Sequence, residues 1–79
     1  MKVLFFAQCR QITRCDDCTL KVDKSLTESE FWNLLVELFP DLASQQKTAR
    51  LARHETYLQK GELLQPNDEV AVIPPVSGG

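Results

Sequence analysis

One well-marked helix constrains the fold of this chain more than any other feature. Thr27 and Glu30 have the spacing of a capping box, in which each side chain accepts a hydrogen bond from the other residue's backbone N–H. The apolar residues that follow fall on one helical face: Phe31, Leu34, Leu35 and Leu38. Because Pro40 cannot continue the helix, the pattern predicts one amphipathic helix whose apolar face must be covered by another element.

The segments on either side of this helix have strand patterns. Residues 2–7 form a nearly continuous apolar run, which predicts a strand in the middle of a sheet with both faces covered. Residues 19–22 alternate polar and apolar and predict the second arm of an antiparallel hairpin, with residues 8–17 as a polar loop. Residues 49–57 predict one or two short strands, and residues 69–73 a final one. This order predicts an α+β fold, a mixed sheet packed on one main helix.

The chain ends on a slender tail directly after the last predicted strand. The tail residues are Pro74, Pro75, Val76, Ser77, Gly78 and Gly79. Each proline fixes φ and lacks an N–H, so the pair predicts an extended exit from the sheet. The tail can reach about 20 Å at roughly 3.3 Å per residue. Its two glycines lack a Cβ and fit a narrow slot.

These properties suit a terminus that reacts inside another protein. The alternative is a poorly ordered chain end without a function. We expect residues 1–73 to form the domain and residues 74–79 to form a flexible tail with a reactive end.

Length and charge exclude several classes of protein. The 79 residues suit one small domain. Eleven acidic against nine basic residues give a net charge of −2, which lacks the strongly basic balance of a nucleic-acid binder. The opening apolar run is too short for a membrane span or a signal-peptide core. We therefore expect a cytoplasmic protein with neither a nucleic acid nor a membrane as partner.

Three cysteines, Cys9, Cys15 and Cys18, lie in one short stretch. The last two have the spacing of half a zinc knuckle, but no second Cys-x-x-Cys follows and His54 is the only histidine. A redox pair is the other alternative, although the aspartates between them would raise the thiol pKa values. We interpret all three as reduced loop thiols and expect no metal site.

The sequence also lacks the residue patterns of an independent enzyme. No nucleophilic triad, phosphate loop or catalytic carboxylate pair is visible. Three aromatic residues, Phe31, Trp32 and Phe39, are interpreted as core rather than as a ligand-stacking set. The chemistry of this chain is therefore expected at its terminus.

The chain closely resembles, over its full length, the small, sulfur-carrier subunits of molybdopterin synthase. The resemblance is carried by residues 3–10, by the predicted helix and, above all, by residues 64–79. Gly-Gly alone is shared with ubiquitin and with other sulfur carriers, whereas Pro-Pro-Val-Ser-Gly-Gly after an Asp-Glu-Val strand is a narrower pattern. The resemblance implies the ubiquitin-like β-grasp fold, which agrees with the element order predicted from the residues.

The resemblance also implies a cycle carried on Gly79. An ATP-using enzyme of the ubiquitin-activating type adenylates the Gly79 carboxylate, and sulfur from a persulfide donor displaces AMP to leave a thiocarboxylate. The tail then enters the large, catalytic subunit, in a heterotetramer of two small and two large subunits. There it donates sulfur to cyclic pyranopterin monophosphate to make the dithiolene of molybdopterin. No cofactor is bound permanently, and ATP is consumed by the activating enzyme.

Two further positions are implied as docking contacts. Tyr57 and Ile73 align with apolar surface positions that family members use to contact the activating enzyme, and core packing is the alternative for Ile73. Three rival functions remain open: a ubiquitin-related protein modifier, a sulfur carrier of another pathway such as thiamin synthesis, and a plain interaction module.

Overall fold

The computed structural model describes residues 1–75, so expectations for Val76, Ser77, Gly78 and Gly79 lie outside the described residues. The elements follow in the order β1 (Lys2–Phe5), α1 (Ala7–Thr13), β2 (Asp17–Thr19), α2 (Glu28–Leu38), a 3₁₀ helix (Pro40–Gln45), β3 (Arg50–Arg53), β4 (Thr56–Tyr57) and β5 (Glu69–Ile73).

The strands form one five-stranded mixed sheet in the order β2-β1-β5-β3-β4. Strands β1 and β5 run parallel, with Val3 opposite Val70 and Phe5 opposite Val72. The other neighbouring pairs are antiparallel. The predicted α+β fold with a mixed sheet is confirmed. Because β5 lies at the centre of the sheet, the chain leaves the domain from the middle of the sheet.

One hydrophobic core lies between the inner face of the sheet and helix α2. Its largest fully buried side chains are Trp32, Phe5, Phe31, Leu35, Leu42, Leu64, Val3, Val70, Val72 and Cys9. Alternate residues of β1, β3 and β5 face this core, as the two-residue period of a strand requires. The residues between them therefore face away from α2.

The predicted capping box at the start of α2 is confirmed. The Thr27 hydroxyl accepts the Glu30 backbone N–H at 3.1 Å, and a Glu30 carboxylate oxygen accepts the Thr27 N–H at 2.9 Å. The hydrogen bond from the Thr27 backbone holds the pKa of Glu30 below its ordinary value. These two contacts fix the residue at which the helix begins.

The buried face of α2 differs in part from the predicted stripe. Phe31 and Leu35 are buried as predicted, but Leu38 is 57% exposed and Trp32 is buried in its stead. Phe39 accounts for the difference, because its ring meets the Phe5 ring edge-on with centroids 5.5 Å apart. The chain thus covers this end of the core with Phe39 after the helix has ended. The core interpretation of the three aromatic residues is confirmed.

The prediction of a loop over residues 8–17 is wrong, because helix α1 occupies most of this segment. Cys9 is buried, and Ile12, three residues on, packs against the core. The helix ends at Arg14, which has a φ of 62° and donates its N–H to the Arg10 carbonyl. Two inward residues within seven give too short an apolar pattern to predict a helix.

Strand β1 is covered on one face, whereas the sequence predicted cover on both. Val3 and Phe5 are buried, but Leu4 is half-buried and Phe6 is 44% exposed. The continuous apolar run therefore supplies the core on one side and an accessible apolar surface on the other.

Strand β2 pairs antiparallel with β1, as predicted, but it spans Asp17–Thr19 instead of residues 19–22. The Leu20 N–H still donates to the Met1 carbonyl at 2.8 Å. Beyond Leu20 the chain turns away from the sheet toward α2. Leu20 is buried and Val22 packs against the core, whereas Lys21 is exposed, so the segment keeps an alternating pattern although it is not paired as a strand.

A cluster of ion pairs fastens the segment before β5 to strand β3. Arg53 donates to Oδ2 of Asp68 at 2.9 Å, to Oε2 of Glu62 at 2.7 Å and to the Leu63 carbonyl at 2.7 Å. The hydrogen bond to Asp68 raises the pKa of Arg53 above its ordinary value. The Arg53 side chain therefore stabilises the fold by joining β3 to the segment before β5.

No helix within residues 1–75 has the length and apolar character needed to cross a membrane. The cytoplasmic location stays a prediction.

Candidate functional site

The last described residues show where the chain leaves the sheet. Ile73 ends β5 and lies opposite Arg50 of β3. Pro74 is buried and Pro75 is exposed. Since proline has no N–H to donate, strand pairing stops at this point. The central strand thus delivers its C-terminal end to the surface beside the face of the sheet that α2 leaves uncovered.

This open face of the sheet contains a shallow cavity of about 520 Å³, called the open-face cavity below. Its lining residues are Leu4, Phe6, Ala52, His54, Glu55, Tyr57, Glu69, Ala71 and Ile73. They come from four adjacent strands, from the turn between β3 and β4 and, in the case of Phe6, from the junction between β1 and α1. The surface is therefore formed mainly by the sheet.

The floor of the cavity is one row of residues in register across four strands. Leu4 lies opposite Ala71, Ala71 opposite Ala52, and Ala52 opposite Tyr57. Two alanines at the centre, flanked by larger side chains, make the face concave. A partner can place an apolar side chain there against the flat β-sheet backbone.

The two docking residues implied by the resemblance lie together on this surface. Tyr57 is 43% exposed, and Ile73 is half-buried; both line the open-face cavity. Ile73 therefore lies on the face opposite the core. Their role as partner contacts stays a prediction.

Several residues of this surface were missed from the sequence. Ala52 and Ala71 make the concavity, and Phe6 adds an exposed ring. Arg50 stacks on Tyr57, with its guanidinium carbon 3.9 Å from the ring centroid. The sequence signal for this concavity was the two-residue period of the strands, which places small residues at alternate positions of adjacent strands on one face of the sheet.

The charged side chains are distributed unequally along the open face. Arg50 lies at the end from which the chain leaves, opposite Ile73. Glu69 begins β5 and lies opposite Lys2, and it lines the other end of the cavity together with Glu55 of the β3–β4 turn. His54 and Glu55 have φ values of 53° and 63°, the two-residue hairpin geometry that presents them there.

The three cysteines are free thiols, and Cys15 lies in the connection between α1 and β2. Cys9 is buried in α1 and Cys18 lies in β2, so the interpretation as loop thiols is wrong for these two. Burial raises the pKa of Cys9. Burial, followed by the neighbouring Cys15 and Asp17, raises the pKa of Cys18. Within residues 1–75, no three His, Cys, Asp or Glu side chains are grouped to hold a metal ion.

A mixed sheet around one main helix, with its central strand leading into a diglycine terminus, defines a ubiquitin-like β-grasp protein. Solved structures bear this out. SAMP1 from Haloferax volcanii matches with a TM-score of 0.80 and 25% identity, over 100% of this chain and 98% of that one. A second structure, of H. volcanii small archaeal modifier protein 1, matches with a TM-score of 0.79 and 22% identity, over 96% and 97%.

The chain belongs to the ThiS family, whose model matches residues 3–79. Relatives named molybdopterin synthase sulfur carrier subunit include one from Arabidopsis thaliana, 39% identical over 100% of this chain and 82% of the relative. Another, from Homo sapiens, is 34% identical over 100% of this chain and 93% of the relative. The resemblance found in the sequence is confirmed. These names also confirm the prediction of a carrier subunit rather than an independent catalyst.

Proposed function

We propose that this chain is the sulfur-carrier subunit of a molybdopterin synthase and that its Gly79 carboxylate is the group that carries sulfur. The observation that supports this most is the extent of the family match, which runs from residue 3 through residue 79 and so includes the whole tail. The relatives' shared name gives the sulfur-carrier role and the synthase. The fold supports it because the central strand leads directly into that tail.

The proposed chemistry begins by activating a poor electrophile. The Gly79 carboxylate attacks the α-phosphorus of ATP on an activating enzyme, which forms an acyl adenylate and releases pyrophosphate. The terminal sulfur of a persulfide donor then attacks the acyl carbon and expels AMP. A thiol cleaves the S–S bond of the resulting acyl disulfide and leaves the thiocarboxylate. This sulfur is anionic near neutral pH and is a stronger nucleophile than a carboxylate oxygen.

In the proposed function, this chain must supply a tail long enough to reach the partner's active site and a surface on which the partner docks. Pro74 and Pro75 restrict the start of the tail, so little backbone entropy is lost when the tail enters a partner. Gly78 and Gly79 keep the tail slim. The chain needs no resident cofactor in this scheme, because ATP is consumed on the activating enzyme.

The open-face cavity is the proposed docking surface. It adjoins the exit of the tail and carries Tyr57 and Ile73 at accessible positions. A partner bound on this face can receive the tail in a channel that opens beside Pro75. We propose that the large synthase subunit and the activating enzyme both dock here, and that the complete synthase contains two small and two large subunits.

The test is to change the end of the chain without changing its body. Deleting Gly79, or appending two residues after it, is expected to abolish conversion of cyclic pyranopterin monophosphate by the reconstituted synthase. The matched control carries the appended residues behind a protease site, so that cleavage restores the Gly79 terminus and the activity. Conversion that persists with the extended or shortened chain would refute the proposal.

A second candidate function is protein modification, in which the Gly79 carboxylate forms isopeptide bonds with lysines. It is favoured by the structural match to H. volcanii small archaeal modifier protein 1. Activation in a cell extract would then produce a ladder of conjugates that requires Gly79. A charged chain that transfers sulfur to the pterin precursor and gives no ladder excludes this candidate.

A further inference from the structure

The open face carries a cation whose role the fold does not explain. Arg50 and Arg53 both belong to β3, but they face opposite sides of the sheet. Arg53 is bound by Asp68 and Glu62 on the inner side. Arg50 is exposed and has no ion-pair partner within residues 1–75. Its charge therefore contributes little to holding the described fold together.

Arg50 is nevertheless positioned. Its guanidinium carbon lies 3.9 Å from the centroid of the Tyr57 ring, and its backbone lies opposite Ile73. Stacking on an aromatic face restricts the rotamers of an arginine while leaving its N–H groups free to donate. A carboxylate that approaches here meets a donor that has already lost part of its conformational freedom.

The opposite end of the cavity carries two carboxylates and one flanking cation, Lys2, which lies opposite Glu69. Glu69 and Glu55 line that end. Glu69 and Ile73 are the first and last residues of β5, so the cation and the carboxylates are separated by roughly 13 Å along the strand, at about 3.3 Å per residue. The direction from the carboxylates to Arg50 is therefore also the direction in which β5 runs toward the tail.

A shallow apolar floor provides contact area but fixes the rotation of a partner poorly. Complementary charges at its two ends do fix it, because a rotated partner brings like charges together. The orientation matters here because the tail must find the mouth of a channel. Six extended residues can span about 20 Å, so a partner that receives the tail would meet Arg50 with its surface and not with its reacting site.

We propose that Arg50, held by Tyr57, is the residue that orients the large synthase subunit on this face, by pairing with a carboxylate beside the mouth of the channel that receives the tail. The matching partner surface has an apolar side chain that enters the cavity over Ala52 and Ala71. It carries a cation at the far end, opposite Glu69. This inference rests on the proposed function.

The test measures binding of the full chain to the purified large subunit. Arg50→Glu is expected to weaken the affinity at least about tenfold. Lys21→Glu changes the charge equally at an exposed position beside α2, away from the open face, and is expected to leave the affinity unchanged. Arg50→Lys keeps the charge without the planar stack and should give an intermediate loss.

A second measurement covers the case in which Arg50→Glu disturbs the fold. Arg50→Gln removes the charge with little change in size, and the affinity of this variant should depend less on salt than that of the natural chain. Equal affinities of the Arg50→Glu and natural chains, equal losses for Arg50→Glu and Lys21→Glu, or an unchanged salt dependence in Arg50→Gln would each overturn the inference. A natural chain that binds the large subunit but passes it no sulfur would instead contradict the proposed function.

Discussion

Oδ2 of Asp68 accepts two hydrogen bonds, one from Nη1 of Arg53 at 2.9 Å and one from the Gln65 backbone N–H at 2.8 Å. The Asp68 side chain is 12% exposed, and that of Arg53 is 19% exposed. This carboxylate therefore ties β3 to the turn that starts β5. Since β5 carries the tail, the contact helps to place the exit of the chain.

Replacing Asp68 by Asn should lower the free energy of unfolding by about 1–3 kcal/mol, the usual range for a charge-assisted hydrogen bond. The measurement is urea denaturation near neutral pH. Asp23→Asn, which changes an exposed carboxylate, is the matched control and should alter stability little. Equal effects of the two substitutions would show that the Arg53 contact contributes nothing.

The same contact predicts a dependence of stability on pH. Burial alone would raise the pKa of Asp68, but the hydrogen bonds from Gln65 and Arg53 hold it below the ordinary value of 3.8. A carboxylate with a lowered pKa in the folded state stabilises the fold above its unfolded-state pKa, and that stability is lost as the pH falls toward the folded-state value. The natural chain should therefore lose stability below about pH 4 more steeply than Asp68→Asn. Parallel pH profiles of the two chains would contradict this assignment.

The capping box of α2 gives a local prediction. Thr27→Ala removes the oxygen that accepts the Glu30 N–H and should cost about 1 kcal/mol of stability. Thr27→Ser keeps that oxygen and should cost much less. Thermal unfolding distinguishes the two variants, and an Ala variant as stable as the Ser variant would show that the cap is not needed.

The open-face cavity predicts a binding defect without a folding defect. Ala71→Tyr fills the floor of the cavity, so affinity for the large subunit should fall at least about tenfold while the thermal midpoint changes little. Ala43→Tyr, at an exposed position of the 3₁₀ helix, makes the same substitution away from this surface. Full affinity in Ala71→Tyr would place docking elsewhere.

The thiols should differ in reactivity because burial protects them unequally. Cys9 is fully buried and its pKa is raised by burial, so alkylation of the native chain near neutral pH should modify it last. In denaturant all three cysteines should react at similar rates. Peptide mass mapping after a short alkylation reads out the order, and early modification of Cys9 in the native chain would contradict its burial.

The sequence allowed the mixed sheet, helix α2 and the final strand to be predicted, since a capping box and strand-like apolar runs are local signals. Helix α1 was missed because its inward side is supplied by Cys9 and Ile12 alone. The exposure of Leu38 and the partial burial of Phe39 depend on where Pro40 ends the helix, which apolar periodicity does not report.

The candidate site likewise has one part that the sequence predicted and one part that it did not. The tail is a contiguous motif, so it was visible in the sequence. The open-face cavity is assembled from four strands whose order and register no local pattern specifies, and its floor consists of two alanines that carry no chemical signal. Tyr57 and Ile73 were named through a family resemblance, whereas Arg50 emerged only from its stacking on Tyr57.

The central claim is that Gly79 exchanges a carboxylate oxygen for sulfur. The most direct measurement is the intact mass of the chain after incubation with its activating enzyme, ATP and a persulfide donor. The mass should rise by the difference between one sulfur and one oxygen atom, and fragmentation should place the change at Gly79. An unchanged mass, or a sulfur located on one of the cysteines, would contradict the account.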